Sequence, residues 1–170
     1  RVAGGGDLAR MGPKFTRPGR ERQRSSDACG RGNSQTCYAS VVWSGAPMTT
    51  PQGKLQGSCL CGAVRFSAQP PTLWCAHCHC TMCQRAHGAA FVTWVGTAAG
   101  RVVIDDARLM WHKSSDQAER GFCSICGSSL FFRSRRWPGE IHITRANFDG
   151  AIDREPDGHA FYDTHVAWFE

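Results

Sequence analysis

A chain of 170 residues, 41% hydrophobic and 20% charged, has room for one domain with a real core, and it contains no apolar run near the ~20 residues of a membrane span. The net charge of +6 is unevenly placed: residues 1–47 carry eight Lys and Arg against three Asp and Glu, whereas residues 48–170 carry twelve against eleven. The part expected to fold is thus nearly neutral, which argues against a phosphate-binding surface there, because such surfaces need clustered Lys and Arg.

Residues 1–47 are rich in Gly, Arg, Ser and Pro, with only a short apolar patch at Val41, Val42 and Trp43. Such a composition cannot bury enough surface to offset its ordering entropy. The segment reads as a disordered, or non-native, basic extension ahead of a natural start at Met48, so Cys29 and Cys37 are set aside. Residues 48–170 read as one folded domain. Ala63 to Ala68 alternates apolar and polar residues as a half-buried strand does. Gln84 to His87 is expected to form one helical turn, stopped by Gly88. Ala89 to Val95, Val102 to Ile104, Leu109 to His112, Leu130 to Phe132, Glu140 to Thr144 and Phe161 to Trp168 are further strand candidates, punctuated by glycines and Pro138. Short strands without long amphipathic helices imply a mainly β domain of antiparallel sheets.

Ten cysteines in a chain that opens without the pattern of a secretory signal read as thiols or metal ligands of a soluble, cytoplasmic protein. Two groups stand out. Cys59 and Cys61, two apart on an expected extended segment, would present their sulfurs on one face. Cys123 and Cys126, with Gly127 behind them, form a knuckle-like turn. Together the four make a closed, structural zinc site. The second group lies within Cys75 to Cys83, where Cys78, Cys80 and Cys83 have the compact spacing of three ligands around an open zinc. The spacing leaves a second reading, in which Cys75, His77 or His79 closes the shell. With three thiolates the metal carries a net charge of about −1, which suits it less to ionising water than to holding an incoming thiol as thiolate.

Around this group, His79 is a candidate proton donor or support for the metal shell. Arg85 is a candidate receptor for a substrate carboxylate, since its fork matches that geometry. Trp94, Phe91 and Trp111 would line core or pocket. His159 and His165 would share one face of a strand, and Arg133 to Arg136 would form a solvated turn.

Four ordered stretches, Gly57 to Phe66, Cys78 to Arg85, Ala89 to Trp94 and Arg120 to Gly127, resemble the glutathione-dependent formaldehyde-activating enzyme family, which also includes centromere protein V. The resemblance runs from about Leu55 to Trp168. It implies a β-tent of antiparallel sheets with few helical turns and two zinc ions per chain. It places Cys59, Cys61, Cys123 and Cys126 at the structural zinc, and Cys78, Cys80 and Cys83 at the catalytic one. The implied activity is that of a carbon-sulfur lyase condensing glutathione with formaldehyde to S-hydroxymethylglutathione. The sequence departs from the family at Cys75, at His87 and in ending at Glu170, before the family's usual tail. Two other readings are a non-catalytic zinc module that binds protein or nucleic acid, with the basic extension adding affinity, and a metal or thiol buffer.

Overall fold

The computed structural model describes residues 53–169. The readings for residues 1–47, Cys29, Cys37 and Met48 lie outside the described residues. Ten strands and one helix follow in order: β1 (Leu55–Ser58), β2 (Arg65–Ala68), β3 (Trp74–Cys78), α1 (Thr81–His87), β4 (Val92–Ala98), β5 (Val102–Asp105), β6 (Leu109–Ser115), β7 (Ala118–Cys123), β8 (Ser129–Ser134), β9 (Glu140–Thr144) and β10 (His159–Ala160). Short 3-10 turns cover Ala99–Arg101, Arg145–Asn147 and Tyr162–Thr164. The protein is mainly β, and its strands form a three-stranded sheet, β1-β2-β5, and a seven-stranded sheet, β10-β3-β4-β9-β8-β7-β6.

Side chains alternate across a strand, and here both faces of the larger sheet are used. Cys75, Val95, Ile141, Ile143, Phe131 and Cys123 point to one face, where Leu55, Val64, Phe66 and Ala68 from β1, β2 and their connection meet them in the main core. Phe66 anchors this interface edge-on against Phe131 and Phe148, with ring centroids 5.4 and 5.1 Å apart. Cys78, Trp74, Trp94 and Phe132 point to the opposite face, where they join Cys80, Cys83 and Val92 in a second apolar cluster. The central strand β9 serves both, with Ile141 and Ile143 toward the core and buried His142 and Thr144 toward the second cluster.

The predicted strand at Phe161 to Trp168 is not formed. Only His159 and Ala160 pair, running parallel to His77 and Cys78, so the larger sheet is not wholly antiparallel. Phe161 then turns left-handed at φ 56°, a backbone region costly for a bulky L-residue, and the chain winds into the Tyr162–Thr164 turn. Its polar groups bond to the loop after β3: Thr164 Oγ1 donates to the His79 carbonyl at 2.9 Å, and Gln84 Nε2 donates to the carbonyls of His79 and Thr164 at 2.7 and 3.0 Å. Further back, Asp153 accepts from Thr72 N–H at 2.7 Å, and Arg154 grips the Thr72 hydroxyl and the Leu73 carbonyl at 2.8 and 2.9 Å. The C-terminal segment is thereby threaded along β3 and braces the loop that carries the central cysteines.

Strand β7 escaped the sequence pattern because Arg120, not an apolar residue, occupies its inward position on the second face, where it is 7% exposed. The expected solvated turn at Arg133 to Arg136 is in part strand: Arg133 lies in β8, stacks at 4.0 Å on the Trp111 ring and pairs with Glu119 at 2.8 Å.

Gly57 is required by close approach. A Cβ there would lie 2.2 Å from Phe66 Cζ and 2.3 Å from the Asn147 carbonyl oxygen, whereas one at Gly100 would meet nothing within 4 Å. Gly57→Ala is therefore expected to destabilise the fold by about 1–3 kcal/mol and Gly100→Ala by less than about 0.5 kcal/mol, as read from urea unfolding midpoints.

Candidate metal centres

Cys59 follows β1 and Cys61 lies in the turn after it, not on the extended segment that the spacing suggested. The turn closes through Gly62 N–H to the Cys59 carbonyl at 3.0 Å, as the turn after β7 closes through Gly127 N–H to the Cys123 carbonyl at 2.9 Å. Both glycines adopt φ +74°, which side chains resist. The two turns bring four sulfurs within 4.8 Å of one another. Cys59 and Cys61 are 3.5 Å apart and Cys61 and Cys123 3.9 Å, close to the ~3.8 Å edge of a tetrahedron with metal–sulfur bonds of about 2.3 Å. Donors to sulfur are in place: Val64 N–H to Cys59 at 3.2 Å, and the Ser128 hydroxyl beside Cys126 at 3.2 Å. The Ser128 hydroxyl and N–H draw the Cys126 thiol down to about 5. Ser128 also accepts from Leu60 N–H at 3.1 Å, which joins the two turns.

The second centre forms where β3 runs into α1. Cys78 ends the strand, Cys80 is the N-cap whose sulfur accepts from Cys83 N–H at 3.3 Å, and Cys83 is the buried residue of the helix. Gly88, left-handed at φ 60°, ends the helix as expected. Cys78 and Cys83 sulfurs stand 3.7 Å apart, and with Cys80 they converge within 4.8 Å. Crowding splits their acidity. Bonding to Cys80 and Cys83 drives the Cys78 thiol far above the usual range, while bonds from Cys78 and Cys80, then the charge of Arg120, hold Cys83 well below it. Three thiolates so close and so buried repel one another, and a soft cation removes that repulsion. Both donor sets therefore fit a metal that takes sulfur ligands.

The alternative fourth ligands are not brought to this trio. Cys75 is three positions from Cys78 on β3, so its side chain enters the main core, where it is fully buried and burial pushes its thiol up to about 12. His77 and His79 turn instead to a separate cavity of about 210 Å³ shared with Phe91, His159, Tyr162, His165 and Phe169. There His79 Nε2 and His159 Nδ1 are 2.8 Å apart, and His77 Nδ1 meets Thr93 Oγ1 at 2.8 Å. Burial lowers the pKa of both His77 and His79. His159 and His165 come together around this cavity rather than on one strand face. Arg85, two positions and thus about 200° around the helix from Cys83, is exposed.

Trp94 does stand at the trio, packed with Cys78 and Cys83, and His87 meets its ring edge-on at 5.4 Å. Sequence reasoning missed the other groups of this wall. Arg120 Nη2 donates to Cys83 Sγ at 3.5 Å, and its guanidinium lies 5.1 Å from the centroid of Phe132. Its Nη1 is buried without a hydrogen-bond partner, a loss of about 1–3 kcal/mol for such a donor. His142 Nε2 contacts Glu140 at 3.1 Å, and Glu140 also accepts from Trp74 Nε1 at 3.1 Å. Burial lowers the pKa of His142 and of His87. A charged residue in a strand slot that the pattern reserves for an apolar one was the available signal for Arg120.

The chain is similar to known proteins. The family model described as glutathione-dependent formaldehyde-activating enzyme matches residues 54–164. A Halomonas elongata protein, provisionally named for the same activity, is 32% identical over 128 residues, 68% of this chain and 80% of its own. A Schizosaccharomyces pombe protein named as an uncharacterized lyase is 30% identical over 118 residues, 62% of this chain and 84% of its own. A crystal structure of a Rhodobacter sphaeroides protein aligns with a TM-score of 0.49 at 23% identity, covering 56% of this chain and 89% of that one.

Because the four-sulfur centre fastens β1 to β7 at the main core and the trio lies outside that core, the two should fail differently. Cys123→Ser is expected to lose metal and cooperative unfolding together. Cys80→Ser is expected to lose metal while keeping a cooperative transition within a few degrees of the parent. Metal analysis beside thermal unfolding checks both, and equal collapse would show that the centres are not separable.

Proposed function

The chain belongs to the glutathione-dependent formaldehyde-activating enzyme family, and from that premise we propose that it is a carbon-sulfur lyase-type enzyme that joins formaldehyde to the thiol of glutathione, giving S-hydroxymethylglutathione. Cys59, Cys61, Cys123 and Cys126 would hold a structural zinc, and Cys78, Cys80 and Cys83 would hold the reactive one. The observation that carries the reading is the convergence of three thiols, with no fourth His, Cys, Asp or Glu ligand grouped with them among the described residues. Zinc held by three thiolates supplies one kind of chemistry, the ionisation of a thiol that approaches it.

The chain's own groups prepare the surroundings. Cys80, as N-cap, is fixed by Cys83 N–H, so the trio is held by a strand end and a helix start rather than by a loose loop. Trp74, Trp94 and Phe132 pack in one apolar cluster with the sulfurs, and an apolar lining strengthens charge interactions at the centre. His87 and His142, whose pKa values burial lowers, add polar edges to this wall. Arg85 lies on the far side of α1 from Cys83, so it is given no part at the reacting atoms. Thiol ligands suit a reducing compartment, which favours the cytoplasm.

Glutathione and formaldehyde also combine unaided, so the activity is an acceleration above that background. Exchange between free and hydroxymethylated glutathione, followed by NMR, should be faster with zinc-loaded protein than in buffer, and Cys80→Ser should return it to the buffer rate. Identical rates for all three samples would remove the proposed activity while leaving metal binding to be explained by a non-catalytic role.

A further inference from the structure

We propose that Arg120 is a catalytic residue of this site, whose Nη1 hydrogen-bonds the aldehyde oxygen as that oxygen gains negative charge. The inference rests on the reading of Cys78, Cys80 and Cys83 as the reacting centre. Four observations carry it. Arg120 is 7% exposed, in a strand position flanked by buried Ala118 along β7 and by Phe132 across on β8, with exposed His112 opposite on β6. Its Nη2 is spent on Cys83 Sγ at 3.5 Å. Its plane is held beside Phe132, 5.1 Å from the ring centroid. Its Nη1 has no partner, and it is the only buried side-chain N or O among the described residues in that condition.

A guanidinium serving only to balance the thiolate charge would need its Nη2 contact and nothing more. An additional, fixed and unsatisfied donor on the same fork is what an oxyanion site requires, because it is already oriented when charge develops. In the step proposed, the sulfur lone pair of the glutathione thiolate forms the S–C bond with formaldehyde. The π pair of the C=O bond moves onto oxygen, and Nη1–H donates to that oxygen. The proton released when the thiol ionised returns to the oxygen through solvent, giving the neutral hemithioacetal with nothing oxidised or reduced. Because Nη1 is shut from solvent, surrounding side chains must shift to admit the aldehyde. The site should therefore favour formaldehyde over longer aldehydes.

The test uses the full zinc-loaded chain, labelled with 15N-arginine, and formate as an anion of nearly the same size as formaldehyde. Arg120 side-chain signals, assigned by their absence in Arg120→Lys, should shift saturably as formate is added. A spectrum unmoved by formate would overturn the proposal. In the NMR exchange assay, Arg120→Gln should lower kcat by about 10²-fold, the usual effect of losing one oxyanion donor, at unchanged zinc content. Arg120→Lys, which keeps the charge but not the fork, should restore only part of the rate. An undiminished rate in Arg120→Gln, or full activity in Arg120→Lys, would also overturn it. A formate shift in a wild type that does not accelerate exchange would sink the glutathione–formaldehyde reading and leave the oxyanion site standing.

Discussion

Sulfurs held within 4.8 Å of one another cannot all lose their protons without a cation to share the charge, and the whole molecule is arranged around two places where this is demanded. One lies at the end of the main core, where Cys59, Cys61, Cys123 and Cys126 meet. The other lies on the opposite face of the seven-stranded sheet, where Cys78, Cys80 and Cys83 meet. Sheet parity keeps them apart. Residues three positions apart on a strand point to opposite faces, so β3 sends Cys75 into the core and Cys78 to the second cluster, and β7 sends Cys123 to one centre and Arg120 to the other.

This division lets one chain keep a cysteine cluster at its core apart from a second one outside it. The four-sulfur centre ties the start of the described domain to its later half, between positions more than sixty residues apart, at the border of an interface already packed by Phe66, Phe131 and Leu130. A metal bound there would be coupled to folding, as in small zinc domains. The trio takes less from the core. Its geometry comes from a strand end, a helix cap, and the C-terminal segment whose Thr164 hydroxyl bonds to the loop carrying His79 and Cys80.

Arg120 is where local pattern and site chemistry conflict. Binary patterning wants an apolar residue at an inward strand position, and the protein instead buries a guanidinium, giving it one sulfur, one aromatic face and no partner for Nη1. Violations of this kind concentrate where a fold serves a site. The histidine-rich cavity behind β3 is a second departure. His77, His79, His159 and His165 surround it on the side away from the trio, and His165 belongs to a segment that the strand pattern misread.

The sequence alone determined the parts of this protein that rest on local chemistry. Cysteine spacing separated the Cys59, Cys61, Cys123 and Cys126 group from the cluster within Cys75 to Cys83, because such groups depend on short loops that the chain writes out in order. Alternation of apolar residues located β2, because half-buried strands repeat every second residue, and short apolar runs set off by glycines and Pro138 located β5 and β9 and the mainly β class. Gly88 and Gly127 marked turns that only a left-handed backbone can make. What only the tertiary structure decided was orientation across distance. It sent Cys75 into the core rather than to the Cys78, Cys80 and Cys83 group, turned His79 away from the sulfurs beside it, placed Arg85 on the exposed side of its helix, and set Arg120, thirty-seven residues beyond Cys83, against that sulfur. None of these follows from spacing, because each depends on which face of a sheet or helix is covered and by what, and that is fixed only when strands distant in the chain are paired.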